Sequence, residues 1–94
     1  MMWSSTVCLT AGMLVGGTKN IVRIINCFTR VHIQVRDLEK ITEETKARLG
    51  KLPMVKGILI RGDEIQLIIG VEAVQITKDL NKHLGFYNDK TSII

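Results

Sequence analysis

Residues 30–36, RVHIQVR, alternate polar and apolar side chains without a break: Val31, Ile33 and Val35 on one side, Arg30, His32, Gln34 and Arg36 on the other. Successive side chains of a strand point to opposite faces, so this pattern calls for a strand with one face on a core and the other in water. Such a strand needs partners. The β-branched run NIVRIIN, residues 20–26, lies just upstream, across the bend Cys27-Phe28-Thr29-Arg30. Its alternation puts Ile21, Arg23 and Ile25 on one side and Val22 and Ile24 on the other, a strand with little exposed surface. A second strand pair is expected at residues 55–60 and 65–69. These flank Arg61-Gly62-Asp63-Glu64, whose Gly62-Asp63 suits a type II′ turn.

Three helical segments surround these pairs. Residues 5–14 form a short helix with Val7, Leu9, Ala11 and Leu14 inward, stopped by Gly16-Gly17. A second helix lies between residues 38 and 49, with Thr42 as N-cap and Glu43-Glu44 where negative charge suits the helix dipole. Leu38, Ile41, Thr45 and Leu49 mark its inner stripe, and Gly50 and Pro53 end it. Residues 71–84 carry Ala73, Ile76, Leu80 and Leu84 at helical spacing, with Gly85 just past the end. The order α-β-β-α-β-β-α predicts an α+β fold: a four-stranded, largely antiparallel sheet with three helices packed on one face.

The 94 residues suit a single domain over 1–94, with a core at about 7–85 and a tail at 86–94. Hydrophobic residues make up 46% of the chain against 23% charged, which excludes extensive disorder. The net charge of +4 suits an anionic partner, but the Lys and Arg residues are scattered rather than gathered in a run. The aromatics Trp3, Phe28, Phe86 and Tyr87 all lie outside the expected strands, where a single-strand RNA reader places its stacking rings, so no nucleic acid partner is expected.

Cys8 and Cys27 cannot build a disulfide framework and read as free thiols of a reducing compartment. With His32 and His83 they offer no paired zinc spacing, so neither a metal nor a cofactor is expected. The uncharged start lacks the basic region and cleavage site of a signal peptide, and no apolar run reaches the length of a membrane span.

The bend 27–30 combines groups that suit phosphoryl chemistry. A cysteine is a nucleophile only as thiolate, a form favoured by nearby cations and backbone N–H groups. Arg30 supplies the cation, and the amides of residues 28–30 can converge into an anion cradle to which Thr29 adds a hydroxyl. The residues alone leave a second reading open, in which Cys27 is a packed and inert thiol. Cys8 reads as a buried small hydrophobe, His83 as a support for a helix C-terminus, and Gln66 as a solvated or hydrogen-bonded outward residue.

The pattern GGTKNI (16–21), NCFTR (26–30), VRD (35–37), VKGILI (55–60) and IQLIIG (65–70) resembles the enzyme IIB domain of the glucose class of bacterial sugar phosphotransferase systems, over residues 7–84. The resemblance implies a protein-phosphohistidine-sugar phosphotransferase component. It implies that Cys27 is the phosphocysteine intermediate, loaded by a phosphohistidine on enzyme IIA and discharged to a sugar held by membrane enzyme IIC. It implies that Phe28 and Thr29 cradle the phosphate and that Arg30 is the first active-site arginine. It also implies a cytoplasmic protein, held at the inner face of the membrane through enzyme IIC, with the sugar chosen by enzyme IIC.

Three departures from the family are visible. The family commonly reads C-x-T-R-L-R, with a second arginine that assists delivery to sugar, where this chain has C-F-T-R-V-H. His32 is therefore an auxiliary residue at most, since a histidine lacks the bidentate fork of arginine. The chain carries no IIC region, which fits a free-standing subunit, an excised domain, or a regulatory module whose cysteine phosphorylation controls binding to a regulator. The start MMWSSTV is unlike the family's first helix and is expected to be poorly ordered.

Overall fold

A computed structural model describes residues 2–86. Three helices, α1 (Ser5–Leu14), α2 (Glu43–Gly50) and α3 (Ala73–Leu84), accompany four strands, β1 (Ile21–Cys27), β2 (Arg30–Val35), β3 (Gly57–Arg61) and β4 (Glu64–Ile68). Short 3-10 turns at Thr18–Asn20 and Leu38–Lys40 complete the described elements. The sheet order is β1-β2-β4-β3 and every neighbouring pair is antiparallel, as expected for an α+β sheet of this element order.

The alternation of β2 sets the two faces. Val31, Ile33 and Val35 are buried with Ile65 and Leu67 of β4, and the helices cover this face through Ala11, Leu49, Ala73, Ile76 and Leu80. The opposite face carries Arg30, His32 and Gln34 from β2, and Glu64 and Gln66 from β4. Burying an aliphatic side chain contributes about 1.5–3 kcal/mol, so this double row of β-branched and leucine side chains anchors the sheet.

The helix ends follow their chemistry. The Thr42 hydroxyl accepts from the Thr45 N–H at 3.1 Å, capping α2 as its sequence predicts, although the helix is shorter than 38–49 because Leu38–Lys40 is a separate turn. Gly85, at φ +80, ends α3, and the Phe86 N–H returns to the Asn81 carbonyl. In the β3–β4 turn Gly62 has φ +59 while Asp63 stays at negative φ, the pattern expected of a II′ turn.

β1 departs from simple alternation. Ile21 pairs with Val35 and Arg23 with Gln34, so Val22 is an extra residue, a β-bulge. The bulge turns Ile21 and Ile24 together toward the core and leaves Val22, Arg23 and Ile25 exposed, which reverses the expected sides beyond Val22. In α1 the inward side is as expected at Val7, Cys8, Ala11 and Leu14 but not at Leu9. Cys8, Ala11, Gly12 and Val15 are buried whereas Leu9 is exposed, because Gly12 lets α3 approach so closely that a Cβ there would stand 2.9 Å from a Leu84 methyl.

The start of the chain is anchored, contrary to the expectation of poor order. Trp3 is fully buried and its indole N–H donates to the Pro53 carbonyl at 2.9 Å. The buried carboxylate of Asp79 accepts from the backbone N–H of Met2 and Trp3 and from the Gln75 amide. Desolvation pushes the Asp79 pKa up, but the hydrogen bonds from Trp3, Gln75 and Met2 outweigh it and hold the group below its ordinary 3.8. The GGTKNI segment is a second anchor. Asn20 is buried, and its side chain donates to the carbonyls of Val15 (2.8 Å) and Asp37 (3.1 Å) and accepts from the Asp37 N–H (2.8 Å). It ties the exit of α1 to the end of β2. Of the tail expected at 86–94, Phe86 packs against the core and residues 87–94 lie outside the described residues.

Candidate functional site

The site grows from a two-residue turn. Cys27 ends β1, Arg30 begins β2, and the two are register partners across Phe28-Thr29. Phe28 adopts φ +53, a conformation costly for a residue with a Cβ, and its ring is 88% exposed. The Thr29 carbonyl accepts from both the Ile69 N–H (3.0 Å) and the Gly70 N–H (2.9 Å), so the turn is pinned to the segment between β4 and α3. Among the described residues neither the Phe28 nor the Thr29 N–H donates in the turn and loop hydrogen bonds. Gly70 needs to be glycine. It has φ +133, and a Cβ there would lie 2.9 Å from the Glu72 carboxylate and 3.6 Å from the Lys56 ammonium.

The two cysteines are in opposite situations. Cys8 is buried, and desolvation together with the Asp79 charge pushes its thiol up to about 11, an inert state. Cys27 is exposed at the turn. That removes the packed-thiol reading of Cys27 and assigns it to Cys8.

Cys27, Phe28, Thr29 and Arg30 are brought together as expected by their adjacency. His32 shares their open face but is already engaged: its Nδ1 lies 2.7 Å from Glu64 Oε1. Arg30 is held differently. Its Nη1 donates at 3.0 Å to Gln66 Oε1, and among the described residues it makes no ion pair. Gln66 Nε2 in turn donates to Glu64 Oε1 at 3.1 Å. Gln66 and Glu64 were not legible as site residues, because the pairing of β2 with β4 joins segments more than thirty residues apart. The one sequence signal is that of Gln66, a lone polar position inside the apolar run IQLII.

Among the described residues no cluster of three or more His, Cys, Asp or Glu could hold a metal ion, and no helix is long and apolar enough to cross a membrane.

A family model described as phosphotransferase system, EIIB, matches residues 13–41, from the end of α1 past β2 and across the Cys27 turn. The PTS system beta-glucoside-specific EIIBCA component of Bacillus subtilis is 32% identical over 79 residues, which cover 84% of this chain and 12% of that protein. The phosphotransferase enzyme IIB component GlvB of Escherichia coli K12 is 31% identical over 86 residues, covering 88% of this chain and 51% of the relative. The chain belongs to the glucose-class EIIB domains of the sugar phosphotransferase system.

This EIIB domain spans about half or less of the length of those relatives. Its fold matches the crystal structure of one domain of the PTS system IIabc component from Clostridium difficile, with a TM-score of 0.60 at 21% identity, over 92% of this chain and 87% of that one. The name EIIBCA places the EIIB domain of the Bacillus subtilis relative in one chain with EIIC and EIIA. Within this frame GGTKNI is a structural clasp built on Asn20, whereas NCFTR forms the exposed turn.

Proposed function

We propose that Cys27 is the phosphoryl-carrying residue of this EIIB domain, receiving phosphate from a phosphohistidine on an EIIA partner and passing it to a sugar held by a membrane EIIC partner. The observation that carries this reading is the exposed thiol at a pinned turn, with turn amides beside it and a guanidinium free of any carboxylate as its cross-strand partner. The Cys27 thiolate attacks phosphorus, the P–N bond to the imidazole of the donor breaks, and the released nitrogen keeps the electron pair. An S–P bond forms. In the second step a sugar hydroxyl attacks phosphorus, the S–P bond breaks, the thiolate leaves, and the hydroxyl proton passes to a base on the sugar side.

The amides of Phe28 and Thr29, the Thr29 hydroxyl and Arg30 would stabilise the equatorial oxygens in both steps, which is the main task a protein has in phosphoryl transfer. His32 takes at most an auxiliary part, since its Nδ1 is committed to Glu64. The domain would work at the cytoplasmic face of the membrane, docked to EIIC.

The test is transfer of labelled phosphate from phosphoenolpyruvate through the general phosphotransferase proteins and the EIIA domain of the Bacillus subtilis beta-glucoside relative. Label is expected on the unsubstituted chain and absent from Cys27→Ser. Equal label on both would overturn the proposal.

A further inference from the structure

Gln66 lies on the open face of the sheet, yet it is only 7% exposed, and both ends of its amide are occupied. Its orientation is fixed by chemistry. Nε2 must donate to the Glu64 carboxylate, so Oε1 is left to accept from Arg30; a flipped amide would set N–H against guanidinium and oxygen against carboxylate. Glu64 Oε1 also meets His32 Nδ1 at 2.7 Å, so the chain Arg30–Gln66–Glu64–His32 runs without a gap across β2 and β4.

The neutrality of Gln66 matters for what Arg30 can do. An arginine side chain has many rotamers, and holding it costs entropy that a preformed hydrogen bond meets in advance. A carboxylate in the same place would hold it as well but would cancel its charge. An amide oxygen fixes the guanidinium through one N–H and leaves its charge and remaining donors for an incoming dianion. The acid of the network, Glu64, is kept one residue removed from Arg30 and is matched with His32 instead.

We propose that Gln66 is a positioning residue of the phosphoryl-transfer site, holding the Arg30 guanidinium for the group carried by Cys27, and that Glu64 acts through it by fixing the orientation of its amide. This rests on the phosphocarrier reading above and adds to it residues of β4 that make no contact with the transferred group.

The experiment measures single-turnover phosphorylation of the 94-residue chain by the phosphorylated EIIA domain of the Bacillus subtilis relative, as a function of donor concentration. The variants are Gln66→Leu, Gln66→Glu, Arg30→Ala, and Gln66→Leu combined with Arg30→Ala. Gln66→Leu is expected to lower the maximal rate about tenfold, the worth of one hydrogen bond to a charged group, with the half-saturating donor concentration unchanged. In the Arg30→Ala background it should change nothing further. Gln66→Glu should be slower than Gln66→Leu at pH 8 and regain rate as acidification neutralises the new carboxyl, a pH profile that a purely structural role would not produce.

A maximal rate within about twofold of the unsubstituted chain in Gln66→Leu, or the same loss with and without Arg30, overturns the proposal. If Gln66→Leu does not fold, the pH profile of Gln66→Glu decides, and a profile parallel to that of the unsubstituted chain overturns it. Absence of label on the unsubstituted chain overturns the phosphocarrier reading and this proposal together, an outcome distinct from a Gln66 effect that fails on a chain that does take label.

Discussion

Cys27 and Arg30 face one another as register partners across a two-residue turn, and Arg30 is held there by the neutral amide of Gln66 rather than by a carboxylate. A thiol and an uncompensated guanidinium at a solvent-exposed turn suit an anion that arrives and leaves. Thr29 fixes the turn itself through its carbonyl, which accepts from two consecutive N–H groups at the end of β4.

Arg30→Lys retains a positive charge but loses the planar fork and the geometry of the bond to Gln66. It is expected to slow phosphorylation of Cys27 about tenfold, read by single-turnover labelling, with the melting temperature nearly unchanged.

His32→Arg restores the second arginine that the family commonly carries, but the new guanidinium would meet Glu64, as His32 does now. Its charge would be spent there, so the rate of Cys27 phosphorylation should change by less than about threefold. A larger gain in the same labelling assay would show that residue 32 reaches the phosphoryl group directly.

Asn20→Ala removes three hydrogen bonds from a buried position, leaves the Val15 carbonyl and the Asp37 N–H without their partner, and takes one of two donors from the Asp37 carbonyl. A loss of about 2 kcal/mol or more in unfolding free energy is expected from urea titration. The Cys27 turn lies at the opposite end of the β1–β2 pair, so at a temperature where the variant is folded its labelling should be retained.

How much of this was legible in the sequence depends on whether a feature is local. The Thr42 cap, the Gly62 turn, the Gly85 stop and the alternation of β2 are each written within a few residues, and the element order follows from them. The bulge at Val22 carries no local signature, since an extra β-branched residue reads as one more strand position. Leu9 faces solvent against expectation because α1 is apolar nearly all round, and its rotation is set by the approach of Leu84 to Gly12. The burial of Trp3 and the placing of Gln66 beside Arg30 depend on contacts between distant segments, which no window of sequence contains.

Asp79 links the start of the chain to acid stability. Its folded-state pKa lies below the ordinary value, so its stabilisation is fully present above about pH 4 and is lost as pH falls through the depressed folded value. Asp79→Asn should be less stable at pH 7, because an amide is a poorer acceptor for the Met2 and Trp3 N–H groups. Its stability should also fall less steeply below pH 4, as read from urea midpoints against pH.

The most direct measurement is the location of the phosphoryl group after transfer from the EIIA donor, by mass spectrometry of peptides prepared at neutral pH. The phosphocarrier account predicts one phosphoryl group within residues 24–30, on Cys27, and none in Cys27→Ser. Phosphate found on His32 or His83, or retained by Cys27→Ser, would contradict it.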